Sequence, residues 1–299
     1  MILKKNILLS VFDKLLSENT QNRVEKIILY IAISSFLIHL SIIYINKLYG
    51  NIFFVNSGFF ENPISAIYTP FSFILIYEVY LLIYYLPRSF TTYITKQYEI
   101  ITLIIIRKLF KDLASLELST DWFSIGGDVQ FTYDLVASLL LFYLIFQFQK
   151  QGKLKYKKYK PTNLNIAKFI EKKKMIALIL VPLFFIMALY TLINWLGGFY
   201  INSKIIPSFD SINSLFFDQF FTILILIDVI LLLISFFYTD KFHKIIRNSG
   251  FIVSTILIRM SFSTSGLISN ILIVSAVVYG LIIILIHNEY EKNALKGTG

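Results

Sequence analysis

One pattern limits what this chain can fold into. A carboxylate stands inside an apolar run, a base ends the next apolar run, and the arrangement occurs twice. Glu78 lies within FSFILIYEVYLLIYYL and Arg107 closes ITLIIIR; Asp228 lies within FTILILIDVILLLISFF and Arg259 closes FIVSTILIR. Phe90 matches Phe242 and Arg107 matches Arg259 at a spacing of 152, while Glu78-Val79 matches Asp228-Val229 at 150. A charge deep in a bilayer costs several kcal/mol, so ionisable residues in such runs carry a functional reading by default.

The apolar runs set the class. At 57% hydrophobic and 15% charged residues, the composition is not that of a soluble globular domain. Spans of about 20 apolar residues suit membrane-crossing helices. Eight segments are expected to cross, near residues 27–46, 64–86, 97–116, 131–149, 175–196, 214–238, 249–262 and 266–287. The expectation is an all-α, polytopic integral membrane helical bundle of about eight transmembrane helices. The third segment is the weakest: charges follow it closely, and Lys96-Gln97-Tyr98-Glu99 at its start reads as the interfacial opening of a helix.

Further matches point to an internal duplication. Ile45-Asn46 pairs with Ile193-Asn194, Asn56-Ser57 with Asn202-Ser203, and Phe71-Ser72 with Phe221-Thr222. With four spans in each half, the repeats run parallel about an axis along the membrane normal. The chain then divides into an N-terminal interfacial helix (1–26), a first four-helix repeat (27–149), a Lys-rich linker (150–174), a second repeat (175–288) and a tail (289–299). The N-terminal MILKKNILLSVFDKLL has a short, interrupted apolar run and no small-residue cleavage site, so it reads as an amphipathic surface helix rather than a signal.

Charge sets the topology. Residues 150–174 hold ten Lys and one Glu, which accounts for nine of the ten net positive charges. The basic balance therefore belongs to one loop and not to a nucleic-acid-binding face. A Lys-rich loop marks the cytoplasmic side, which places both termini inside, in a membrane such as the bacterial inner membrane. Lys172, Lys173 and Lys174 at its end are candidates for contact with anionic lipid or a cytoplasmic partner. The opposite face carries an acidic segment with Glu117, Asp121, Asp128 and Asp134, which would concentrate cations.

Several chemistries are excluded or unsupported. The chain has no Cys, which removes disulfides and thiolate metal sites. The three His form no metal-ligand spacing, and no phosphate-binding loop occurs. A voltage-sensor helix would carry a base every third residue over several turns, and neither half does. No cofactor is expected. The leading expectation is a channel or transporter for cations or protons, with Glu78 and Asp228 lining the path and Arg107 and Arg259 as counter-charges. A non-transporting scaffold or sensor subunit is the alternative. A lipid-processing enzyme using Asp121 and Asp128 is a weaker third, because no catalytic spacing accompanies them. A homo-oligomer is compatible with a channel, and no motif reports one.

Overall fold

The computed structural model describes residues 12–49, 63–114, 126–154, 164–201, 209–238, 241–264 and 266–296. Among these, all regular structure is helical, with no strand. After one helical turn at 12–15, eight α-helices follow in order: α1 (Glu18–Tyr49), α2 (Tyr68–Tyr85), α3 (Phe90–Ala114), α4 (Gly126–Gly152), α5 (Leu164–Ile201), α6 (Phe209–Phe236), α7 (Phe242–Ser261) and α8 (Gly266–Lys296). A 3-10 turn, Pro63–Ile67, leads into α2. The eight helices fall at the eight segments expected from hydropathy.

Among the described residues, four helical stretches are long and apolar enough to cross a membrane: Phe12–Tyr49, Val129–Gly152, Gln219–Phe236 and Gly266–Ala294. A shorter apolar helix, Thr69–Tyr85, lies within α2. Such helices are compatible with an integral membrane protein. Large apolar side chains point outward along the four, among them Tyr30, Ile38, Leu139, Phe146, Leu226 and Ile268. In water these would form exposed patches; in lipid they need no cover.

The helix ends have local causes. Pro87 follows α2 within two residues, and proline both lacks the N–H and disfavours helix before it. Ser89 then opens α3: its Oγ accepts from the Thr92 N–H at 3.2 Å and pairs with the Thr92 hydroxyl at 2.8 Å, an N-cap arrangement. Ser17 does the same for α1, accepting from the Thr20 N–H at 3.1 Å. Gly266, which opens α8, has a φ of 70°, a backbone region where glycine meets no Cβ penalty.

The expected boundaries shift in two places. The Lys-rich linker is shorter than expected, because α4 runs on to Gly152 and α5 begins at Leu164. Lys168 and Lys172 to Lys174 therefore ride on a helix. At the other end, the chain is already in α1 from Glu18, so only residues 12–17 of the expected surface helix are described ahead of it.

The chain divides into two compact units. The first comprises Met1–Tyr84, Ile104–Thr132 and Leu180–Phe217; the second comprises Tyr85–Leu103, Tyr133–Ile179 and Asp218–Gly299. In the second unit, α7 and α8 form an antiparallel hairpin joined by a short turn. A Cβ on Gly250 of α7 would meet Ile283 of α8 at 2.8 Å, so glycine there permits close helix approach. Tyr98 of α3 packs edge-on to Phe148 of α4 at 5.0 Å, and Phe148 contacts Phe251 of α7 at 5.5 Å.

Candidate functional site: two buried carboxylates

The first carboxylate belongs to the first unit. Glu78 lies in α2, where Arg107 of α3 donates from Nη2 to its Oε2 at 2.9 Å. The side chains are 3% and 13% exposed respectively. Helical side chains lean toward the helix N-terminus, which turns Arg107 back along α3. Its guanidinium also lies 5.8 Å from the centre of the Phe71 ring, a cation–π arrangement. Phe71 and Glu78 are seven residues apart, two turns along one face of α2. Glu78 Oε1 has no hydrogen-bond partner among the described residues. Beside Glu78 in sequence, Tyr77 donates to Glu25 of α1 at 2.7 Å and accepts from Gln21 at 2.8 Å.

The second carboxylate belongs to the second unit and is held differently. Asp228 of α6 accepts from Gln97 Nε2 of α3 at 3.1 Å on Oδ2. Its Oδ1 has no hydrogen-bond partner among the described residues. The Tyr93 hydroxyl lies near enough to act on Asp228 and Gln97, but without hydrogen-bonding geometry to either. Tyr93 and Gln97 are four residues apart and so share one face of α3. The positive charge acting on Asp228 is that of Lys173 on α5. Asp228, Gln97, Tyr93 and Lys173 are all at most 3% exposed.

Lys173 is itself tightly seated. Its ammonium donates to the Arg88 carbonyl at 3.0 Å and lies 4.2 Å from the Phe90 ring centre and 5.3 Å from that of Phe169. Two ring faces and one carbonyl offset part of the cost of burying that charge. The exposed Lys172 next to it sits 5.4 Å from the Tyr238 ring centre. Of the three lysines expected to meet lipid or a partner, the middle one is thus turned into the protein.

The sequence leads one to expect an acid–arginine pair in each half; among the described residues Glu78 and Arg107 form theirs, and Asp228 is not bonded to Arg259. Arg259 donates to Thr222 Oγ1 at 3.4 Å, six residues before Asp228 on α6, and is not among the groups acting on Asp228. Two causes combine. Thirty-one residues separate Asp228 from Arg259, against 29 between Glu78 and Arg107, so the second connection is longer. Aspartate is also one methylene shorter than glutamate.

The acidic segment is described only in part. Glu117 and Asp121 lie outside the described residues, and Asp128 falls in the first turn of α4 without a described side chain. Asp134 is not part of a loop: it sits in α4, fully buried, where Asn270 Nδ2 of α8 donates to its Oδ1.

Sequence reasoning does not foresee the order of the stretch Lys96-Gln97-Tyr98-Glu99. Each of the four has a defined partner. Glu99 accepts from Lys96 and from Gln149, both at 2.6 Å. The Ser254 hydroxyl donates its one hydrogen to the Ala276 carbonyl at 2.6 Å, so Tyr98 is the donor in its 2.7 Å contact with Ser254. The signal that could find Gln97 is its place on the Tyr93 face, in a stretch otherwise rich in apolar residues.

A last cluster joins α7 and α8. His243 pairs with Glu291 at 2.8 Å, and its ring stacks on His287 at 5.2 Å. Arg247 contacts His287 Nε2 at 3.1 Å. Because arginine only donates, that nitrogen accepts. Burial is the main cause drawing Arg247 down to about 10, opposed by Glu291. Among the described residues, no three His, Asp or Glu groups are placed to hold a metal ion.

Comparison of the chain with protein-family models, with curated proteins and with solved structures returned no match.

Proposed function

We propose that the chain is an integral membrane channel or transporter for a proton or small cation. Glu78 and Asp228 are its two polar stations. The observation that carries this reading is the state of the two carboxylates. Each is buried in an apolar helix, each has one oxygen held by a donor, and each has the other oxygen without a hydrogen-bond partner among the described residues. A buried polar atom left without a partner is costly, and its persistence needs a reason. Binding of a mobile cation or proton supplies one. In this reading Arg107 is the counter-charge of Glu78, and Lys173 takes the place expected of Arg259 at Asp228.

The architecture that goes with this function is eight crossing helices in two parallel repeats, in a membrane of the bacterial inner type, with both termini on the Lys-rich side. Three correspondences support the repeat within it. α3 begins at Phe90 and α7 at Phe242, the residues matched across the halves. Arg107 lies over Phe71, and Arg259 bonds Thr222, the neighbour of the Phe71 counterpart Phe221. Short connections join α2 to α3 and α6 to α7.

The test is ion flux in liposomes holding purified protein, across H⁺, Na⁺, K⁺ and Cl⁻ gradients. Glu78→Gln and Asp228→Asn should each lower cation flux at unchanged expression. A double variant with undiminished flux would remove both acids from the path.

A second reading rests on the Glu78–Arg107 pair, which also serves to lock α2 against α3. Without transport, the chain would be a scaffold or sensor subunit, with exposed Lys172 and partly exposed Lys174 available to anionic lipid or a cytoplasmic partner. Absence of flux under every gradient, with lipid or partner recovery lost on neutralising those lysines, would select it.

A further inference from the structure

The two buried carboxylates face partners of different chemistry. Glu78 accepts from Arg107, and Asp228 accepts from Gln97. A guanidinium carries five N–H donors and no acceptor, whereas a carboxamide carries two N–H donors and a carbonyl oxygen. Gln97 is buried, and its 3.1 Å bond to Asp228 Oδ2 is its only side-chain hydrogen bond among the described residues. No other such bond fixes which end of the amide faces the carboxylate.

We propose that Asp228 and Gln97 form a proton-binding site in which the amide turns over to follow the proton, while Glu78 stays ionised. This rests on the transport reading above and makes a proton the ion handled at Asp228. An ionised carboxylate only accepts, so the amide presents an N–H to it. A protonated carboxyl also donates, and the carbonyl end of the same amide, half a turn away about its last side-chain bond, accepts. One hydrogen bond is kept in either state. Arg107 offers no such exchange. A proton on Glu78 would find no acceptor on the guanidinium and would leave that buried charge unbalanced.

The binding step balances by itself. An arriving proton forms an O–H bond with a lone pair on Asp228 Oδ1, which has no hydrogen-bond partner among the described residues. The carboxyl then turns so that its O–H faces the Gln97 carbonyl. Release reverses the sequence and restores the carboxylate and its N–H contact; nothing is oxidised or reduced. Tyr93, one turn earlier on the same face of α3, brings a buried hydroxyl oxygen that also has no hydrogen-bond partner among the described residues. It is an acceptor for the N–H group that the turn releases. Lys173 of α5 is the charged group acting on Asp228 from a further helix, and Tyr93 is the other titratable one. Neither is hydrogen-bonded to it, so the exchange lies between Asp228 and Gln97. A hard metal cation takes about six oxygen ligands, which one carboxylate oxygen beside an amide does not supply; a proton needs one lone pair.

Infrared difference spectroscopy of the full-length protein in detergent, titrated over pH, tests the site. A carboxyl C=O band should appear on acidification in wild type and in Glu78→Gln and be absent from Asp228→Asn. In protein carrying carbon-13 at its glutamine side chains, an amide C=O band should change at the same midpoint and be silent in Asp228→Asn. The label reads the amide without altering it. Gln97→Lys, a donor without an acceptor, should move the carboxyl midpoint at least about one pH unit lower, the size set by a hydrogen bond to a charged group. If no band is lost in Asp228→Asn, or one is lost in Glu78→Gln, the assignment of the two acids is overturned. A carboxyl band with no matching amide change overturns the turning amide.

Flux in liposomes separates this site from the transport reading. Proton uptake reported by an entrapped pH-sensitive dye should fall at least about tenfold in Asp228→Asn and in Gln97→Lys, the loss expected for groups in the proton path. Sodium or potassium flux that depends on Asp228, with no proton flux, overturns the proton assignment while transport stands. No flux of any ion, with both bands still titrating together, overturns transport and upholds the site.

Discussion

Arg107 donates to Glu78 across 2.9 Å, with both side chains largely out of solvent. Removing one partner of a buried pair leaves an uncompensated charge and costs about 3–5 kcal/mol, whereas replacing both by apolar groups is far milder. Arg107→Met should therefore lower thermal stability in detergent more than the Glu78→Gln/Arg107→Met double variant does. A double-mutant cycle from unfolding curves checks the coupling. Equal losses in the single and double variants would show that the pair contributes nothing specific.

Gln97 is the donor that orients Asp228. Hydrogen bonds to a charged group contribute about 1.5–3 kcal/mol, so Gln97→Leu should destabilise by that order and reduce any flux that depends on Asp228. Gln97→Asn, shorter by one methylene, should restore little of either. Stability and flux measured side by side separate loss of the bond from loss of the fold.

Tyr98 needs glycine at position 280. A Cβ there would collide with the Tyr98 hydroxyl, which is held by Ser254. Overpacking a well-filled interior costs about 1–3 kcal/mol. Gly280→Ala should therefore lower the melting temperature, and adding Tyr98→Phe, which removes the clashing oxygen, should recover part of the loss.

Much of this organisation is legible in the sequence, and the limits have physical reasons. The eight helices, four of them long and apolar enough to cross a membrane, and the turn at Pro87 follow from hydropathy and from the missing proline N–H. The Glu78–Arg107 pair follows from a buried acid that needs a cation. The same rule misplaces the partner of Asp228, because hydropathy fixes where helices run but not which helix faces which. Lys173 stays hidden for a related reason. In a run of lysines, nothing in the composition marks the one that faces inward; that is set by the register of α5 against Phe90 and Phe169. Asp134 looks like part of a loop because its partner, Asn270, is 136 residues away.

That register yields its own prediction. Amine-reactive labelling of the native protein, read by mass spectrometry, should modify exposed Lys172 and leave buried Lys173 untouched until denaturant is added. Equal labelling of the two in the native state would place Lys173 at the surface.

The pairing of Glu78 with Arg107 also bears on how such a chain is made. Arg107, Lys108 and Lys111 crowd the far part of α3, and α3 is not among the described helices apolar enough to enter a bilayer unaided. A helix so charged partitions poorly by itself during synthesis. Presented together with α2, it brings one of its charges already neutralised by the glutamate of its predecessor. If α3 crosses the membrane, as the eight-span proposal has it, the natural insertion unit is the hairpin and not the single helix, and the order in which the ribosome delivers the two segments becomes part of the folding information.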